Sequence, residues 1–175
     1  RQVIWVDEQA VAESFLLIRR KSFRMLLEHP HKNMRAMAFL EDTIVPLAVY
    51  GEFLAALEAI LNQYDMLYTY AGHIGDGSIR LVPLVDMEAP TAAEKVMELE
   101  TKVNNLVMAM GGSISADHND GIIRTPYLEQ FYGPEVYTLF AKVKELFDPL
   151  GIFNPGKKVG GSFEFATTHI IRSNS

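Results

Sequence analysis

The chain has 175 residues, 49% of them hydrophobic and 22% charged, an ordinary globular make-up that excludes a collagen-like, coiled-coil or tail-like disordered polymer. Sixteen Lys and Arg against 22 Asp and Glu leave a formal charge of -6, which argues against nucleic acid as a partner. The absence of cysteine removes disulfides, thiolate zinc sites, thiol nucleophiles and iron–sulfur ligation, so any redox chemistry needs a bound organic cofactor or a His/carboxylate metal.

No apolar run approaches the roughly 18 to 20 residues that cross a bilayer, and the opening RQVIWVDEQA lacks the layout of a signal peptide. No transmembrane segment and a cytoplasmic location are therefore expected. The sequence begins at Arg1 rather than at Met, in keeping with a piece of a longer polypeptide.

From Asp7 to Leu27 the apolar residues Val11, Phe15, Ile18, Met25 and Leu26 recur at nearly helical spacing, with Arg19, Arg20, Lys21 and Arg24 between them, which predicts one helix. Pro30 ends it, because the residue before a proline is pushed out of helical geometry; His29 and His31, flanking that proline, read as solvated loop side chains. Residues 36–45 mix short apolar and β-branched groups up to Pro46 and predict a strand, followed by a helix whose face is Phe53, Leu54, Leu57, Ile60 and Leu61.

Met66–Ala71 and Ser78–Val85 predict two paired strands joined by the glycine-punctuated turn Gly72-His73-Ile74-Gly75-Asp76-Gly77. Thr91 and Glu94 have the spacing of a capping box, and Val96, Leu99, Val103, Leu106, Val107 and Met110 mark the next helix, closed by Gly111-Gly112. A polar loop follows, then a helix on Val136, Leu139, Phe140, Val143, Leu146 and Phe147 that stops at Asp148-Pro149. Residues beyond 160 read as a peripheral tail. The order strand-helix-strand-strand-helix-strand predicts an α+β domain over residues 1–160: an antiparallel sheet with helices on one face, of ferredoxin-like, split βαβ type.

Three polar, glycine-bearing segments interrupt this pattern: Gly72–Arg80, Gly111–Arg124 and Asp148–Lys157. His73, Asp76, Asp117, His118 and Asn154 form one site if the strand ends bring these segments together. His73 has three readings on spacing alone: metal ligand, proton acceptor or hydrogen-bonded edge residue. Asp117 and His118 are adjacent, and only an irregular loop aims both at one substrate. Ser113 and Ser115 lack a nucleophile elbow, and the glycines at 72, 75 and 77 fail as a dinucleotide fingerprint because a strand follows them instead of a helix.

Four strings in order, Phe39-Leu40-Glu41-Asp42-Thr43-Ile44-Val45-Pro46, Gly72-His73-Ile74-Gly75-Asp76-Gly77-Ser78, Gly112-Ser113-Ile114-Ser115-Ala116-Asp117-His118 and Asp148-Pro149-Leu150-Gly151-Ile152-Phe153-Asn154-Pro155-Gly156-Lys157, resemble the C-terminal domain of FAD-linked oxidases. Members of that group include D-lactate dehydrogenase, glycolate oxidase and D-2-hydroxyglutarate dehydrogenase. The resemblance spans about residues 15–160. It implies a substrate-side cap over an FAD held mainly by a separate N-terminal flavin domain absent from this chain.

The implied reaction oxidises a small 2-hydroxy acid to the 2-oxo acid, with a hydride passing to flavin. In relatives acting on D-2-hydroxy acids, the first motif's His, a second His seven positions later and a Glu just before the later His hold a divalent metal. Here His73 matches, Arg80 stands at the second His position, and Asp117 replaces the Glu. A guanidinium does not ligate metal but does clamp a carboxylate in bidentate fashion, so the resemblance leaves two readings: a metal on His73 and Asp117, or Arg80 supplying the positive charge.

By the same resemblance His118 is the general base, Arg19 a second contact to substrate carboxylate, and Asn154 a neighbour of the flavin. The acidic balance offers no basic patch for anionic membranes and leaves open a separate electron-accepting subunit as a further partner. The rival expectation keeps the fold without the catalysis, as a ligand-binding or assembly domain whose metal site has degenerated.

Overall fold

The computed structural model describes residues 5–28 and 34–170; His29 and His31 lie outside them. Among the described residues the order is α1 (Gln9–Leu27), β1 (Met34–Ala36), β2 (Leu40–Ile44), α2 (Tyr50–Leu61), β3 (Tyr68–Ala71), β4 (Ser78–Asp86), α3 (Ala92–Ala109), α4 (Gly121–Arg124), α5 (Leu128–Tyr132), α6 (Pro134–Phe147) and α7 (Phe163–Thr168). The α+β class and the antiparallel sheet are as expected from the sequence. β4 is the hub: it pairs antiparallel with β1 at residues 84–86, with β3 at 80–83 and with β2 at 78–81.

The core lies between this sheet and the pair α2 and α3. Phe53, Leu57 and Leu61 of α2 and Val96, Leu99, Val103 and Val107 of α3 are all buried with Leu40, Ile79 and Leu81 of the sheet. Each helix contributes one stripe at i, i+3 or i+4 spacing, which is what puts its polar residues outside. α3 ends in a Schellman arrangement: Gly111 takes a positive φ of 72°, its amide donates to Met108 O, and the Gly112 amide donates to Val107 O at 2.9 Å.

Several expectations need correction. The strand expected over 36–45 is two short strands separated by a turn at 38–39. Thr91 is the N-cap of α3 but its side chain makes no capping bond; its backbone, at φ -100° and ψ 14°, is not in the extended geometry that aims an N-cap oxygen at the helix amides. The closing strand after α3 is reduced to one antiparallel bridge, Ile44 to Ser113. There the Ser113 hydroxyl bonds the backbone of Ser115, and such local bonds compete with a ladder.

The polar loop also holds α4 and α5, too short to leave a 3.6-residue pattern. The tail is not wholly peripheral. Ser162 caps α7 by accepting the Phe165 amide at 3.1 Å, Ala166 is buried, and Ile170 packs on the core.

Candidate active site

β2 carries the irregularity on which the site is built. Its register against β4 shifts between Leu40 and Thr43, and Asp42, at that bulge, takes a left-handed φ of 68°. Asp is among the few residues besides Gly that adopt this conformation at small cost. In a regular strand Glu41 and Asp42 would face opposite ways; the bulge lets both reach His118.

Both polar loops are stitched to the end of the same strand. Gly77, at φ 77°, closes the His73 turn and its carbonyl accepts the Val45 amide at 3.0 Å. A Cβ there would lie 2.0 Å from the Val45 carbonyl oxygen. One residue earlier in β2, Ile44 exchanges two backbone bonds with Ser113, at 2.8 and 3.0 Å, and a Cβ on Gly112 would sit 2.4 Å from the Ile44 oxygen. The glycines thus allow two loops to meet β2 at backbone contact.

The result is a cleft of about 320 Å³ whose walls include Arg19 and Ser22 of α1, Thr69 and Ala71 of β3, His73, Arg80 of β4, Asp42, Asp117 and His118. Five of the seven site residues expected from the sequence therefore share one cavity, and Asp76 is not among its lining residues. Arg80 reaches it because β4 pairs Arg80 with Ala71, two residues before His73. Asn154 is not among the cleft residues. It sits in a left-handed turn at φ 46°, where its side-chain oxygen accepts from the Lys157 amine at 3.3 Å.

Asp42 is buried and accepts from four donors: the amides of Asp117 at 2.9 Å and His118 at 3.0 Å, the Ser115 hydroxyl at 3.3 Å and Arg124 Nη1 at 3.2 Å. Its backbone carbonyl also accepts the Ala116 amide at 2.8 Å. Burial raises its pKa, but the bonds from Asp117 and His118 and the Arg124 charge outweigh this and hold it below the ordinary 3.8. The exposed Asp117 shifts the other way, raised first by its hydrogen bond with Asp42 and then by desolvation.

His118 Nδ1 faces two carboxylates, Glu41 Oε1 at 3.6 Å and Asp42 Oδ1 at 3.9 Å, while Nε2 faces Asp117 Oδ1 at 3.6 Å. The Arg80 guanidinium bridges the group: Nε pairs with Glu41 Oε2 at 3.1 Å, and Nη2 lies 3.3–3.4 Å from both imidazole nitrogens. Sequence reasoning placed Glu41 and Asp42 in a family string but gave neither a role, and it passed over Arg124. The available signals were two adjacent acids inside a predicted strand and a lone Arg in an otherwise apolar GIIR segment.

Among the described residues, the His and carboxylate atoms that converge as a metal site would are those of Asp42, Asp117 and His118, all within 4.8 Å of one another; His73 is not in that set. These residues do not fit a divalent ion. Asp42 already has four donors, and the Arg80 cation lies against both His118 nitrogens, where it would repel a second positive charge.

The sequence-family model described as "FAD linked oxidases, C-terminal domain" matches residues 1–158. The chain is similar to D-2-hydroxyglutarate dehydrogenase of Pseudomonas putida, 31% identical over 86% of this chain and 15% of that protein. It is similar to D-lactate dehydrogenase of Archaeoglobus fulgidus, 34% identical over 67% of this chain and 26% of that protein. Glycolate oxidase subunit GlcD of Bacillus subtilis is 29% identical over 71% of this chain and 26% of its own length. The chain thus spans about a quarter or less of these relatives. Among the described residues no helix is long and apolar enough to cross a membrane.

Proposed function

The chain belongs to the C-terminal domain family of FAD linked oxidases, and from that membership we propose that it forms the substrate side of an FAD-dependent dehydrogenase. On this reading the enzyme oxidises a small 2-hydroxy acid to the 2-oxo acid, with the remainder of a longer polypeptide, an N-terminal flavin domain, holding the cofactor. The Gly72–Gly77 turn leads into β4 rather than into a helix whose amides could cradle a pyrophosphate, in keeping with that division. FAD, when bound, supplies the acceptor for the hydride. The observation that carries the reading is the meeting of Arg19, His73, Arg80 and His118 around one small cleft.

Each chain residue then has a task. Arg80 spends its Nε–H on Glu41 and sets Nη2 against the His118 ring, which leaves Nη1 for a substrate carboxylate, and Arg19 adds a second cation on the same cleft. The two carboxylates facing Nδ1 favour the proton there, so Nε2 of His118 carries the lone pair and takes the hydroxyl proton as the α-hydrogen departs with its electron pair. The ring that receives this proton lies among the carboxylates of Glu41, Asp42 and Asp117 and against the Arg80 guanidinium. No metal is needed, because Arg80 supplies the positive charge. Asn154 is assigned to the flavin side of the domain, outside the cleft.

The test is anaerobic flavin reduction in the full-length holoenzyme across a panel of 2-hydroxy acids. Arg80→Ala is expected to raise KM about 100-fold or more through loss of a charge-assisted pair, and His118→Ala to lower kcat about 10²–10⁴-fold. Unchanged kinetics in both variants would transfer the chain to the rival reading, a binding or assembly domain with a degenerate metal site. A divalent ion co-purifying at one per protomer would overturn the metal-free role of Arg80.

A further inference from the structure

We propose that the Glu41-Asp42 bulge of β2 is the positioning element of the site, with Asp42 fixing the backbone that carries His118 and Glu41 fixing its imidazole. The reasoning rests on the function proposed above only for the meaning of His118; the positioning itself rests on geometry. Asp42 is fully buried as a side chain and accepts the successive amides of Asp117 and His118 together with the Ser115 hydroxyl. Three bonds from one carboxylate to one short loop, joined by Ala116 N to Asp42 O, leave that loop little freedom.

Arg124 closes the arrangement from behind. Its guanidinium is buried and bonds Asp42 Oδ2, the Asn119 carbonyl at 2.7 Å and the Glu41 carbonyl. The bulge and the loop 115–119 are thereby held as one body. Glu41, a quarter exposed, faces His118 Nδ1 with one oxygen and pairs Arg80 with the other, so a single carboxylate sets both the imidazole and the guanidinium. Glu41 is not among the cleft residues, and the Asp42 carboxylate, though at the cleft wall, is fully buried and taken up by its four donors, which makes both positioning residues.

Asp42→Asn is the informative variant. Asn tolerates the left-handed backbone as Asp does, so the substitution removes the anion and one acceptor without adding backbone strain. In the full-length holoenzyme it is expected to lower kcat for flavin reduction about 100-fold, the scale of an ångström-sized misplacement, with KM changed less than about threefold because Arg80 still holds the carboxylate. Leu99→Ala, a core truncation in α3, is the control: it lowers the melting temperature and leaves kcat of the folded enzyme within about threefold.

Amide hydrogen exchange is the second readout and does not depend on turnover. Residues 115–119 are expected to exchange at least about tenfold faster in Asp42→Asn, with α3 unchanged. If Asp42→Asn fails to fold, Ser115→Ala removes one of the four donors and is expected to speed exchange in the same segment. Exchange unaltered in 115–119, or a kcat loss no larger than that of Leu99→Ala, overturns the proposal. A wild-type holoenzyme that reduces its flavin with none of the hydroxy acids removes the proposed function instead, and the exchange experiment alone then decides the positioning role.

Discussion

Two buried acids close to Arg124 have opposite pH signatures. Glu100 is buried in α3, with Oε2 unbonded and Oε1 accepting from Asn104 at 3.4 Å. Burial pushes its pKa well above the ordinary 4.5, against the weaker pull of Arg124 and Asn104. The unfolded chain releases this proton first, so the Glu100 contribution to stability is most favourable below about pH 4.5 and falls as pH rises toward the folded value. Asp42, held low, gives the reverse: its contribution is complete above about pH 4 and is lost on further acidification. Glu100→Gln is expected to flatten the fall in melting temperature as pH rises above about 4.5, and a wild type whose melting temperature falls no more than the variant's would contradict it. None of this was legible in the sequence, where Glu100 is one of several acids along an amphipathic helix; only packing reveals which acid lost its water.

At the scale of elements, the helices α2 and α3 were readable because their apolar residues recur with the helical period, and the same period faces them to the sheet. The bulge in β2 was not, since one extra residue in a strand leaves no mark on a five-residue pattern. Gly77 shows how a turn and a strand depend on each other. Ala at this position meets the left-handed backbone cost of about 1–2 kcal/mol and a Cβ 2.0 Å from the Val45 oxygen. Gly77→Ala is expected to lower the melting temperature and to weaken substrate binding, because the turn carrying His73 must move away from β2. Normal affinity in a destabilised variant would detach His73 from the cleft's function.

Across the whole molecule, two helices present apolar residues that nothing in the described structure covers. α6 buries none of its residues; Leu146 and Phe147 are more than 70% exposed, and Leu150, Ile152 and Phe153 continue the patch. On α1, Phe15, Leu16, Leu17 and Ile18 are also exposed. Patches of this kind mark contact surfaces, and the relatives are all more than twice as long as this chain. Residues 1–175 expressed alone are expected to bind an apolar dye, to self-associate and to show no saturable FAD binding, whereas the full-length protein should do neither of the first two. Saturable flavin binding and turnover by residues 1–175 would contradict the division of labour.

Composition and period determined the class of the fold and the two core helices, and four ordered strings carried the family resemblance, since these are properties of neighbours along the chain. The meeting of Arg19, Arg80 and His118, the roles of Glu41 and Asp42, and the poor fit to a metal were decided in three dimensions. A carboxylate's partners are set by what folds against it, and here a bulge, two glycine contacts and a buried Arg124 bring together residues up to 83 positions apart.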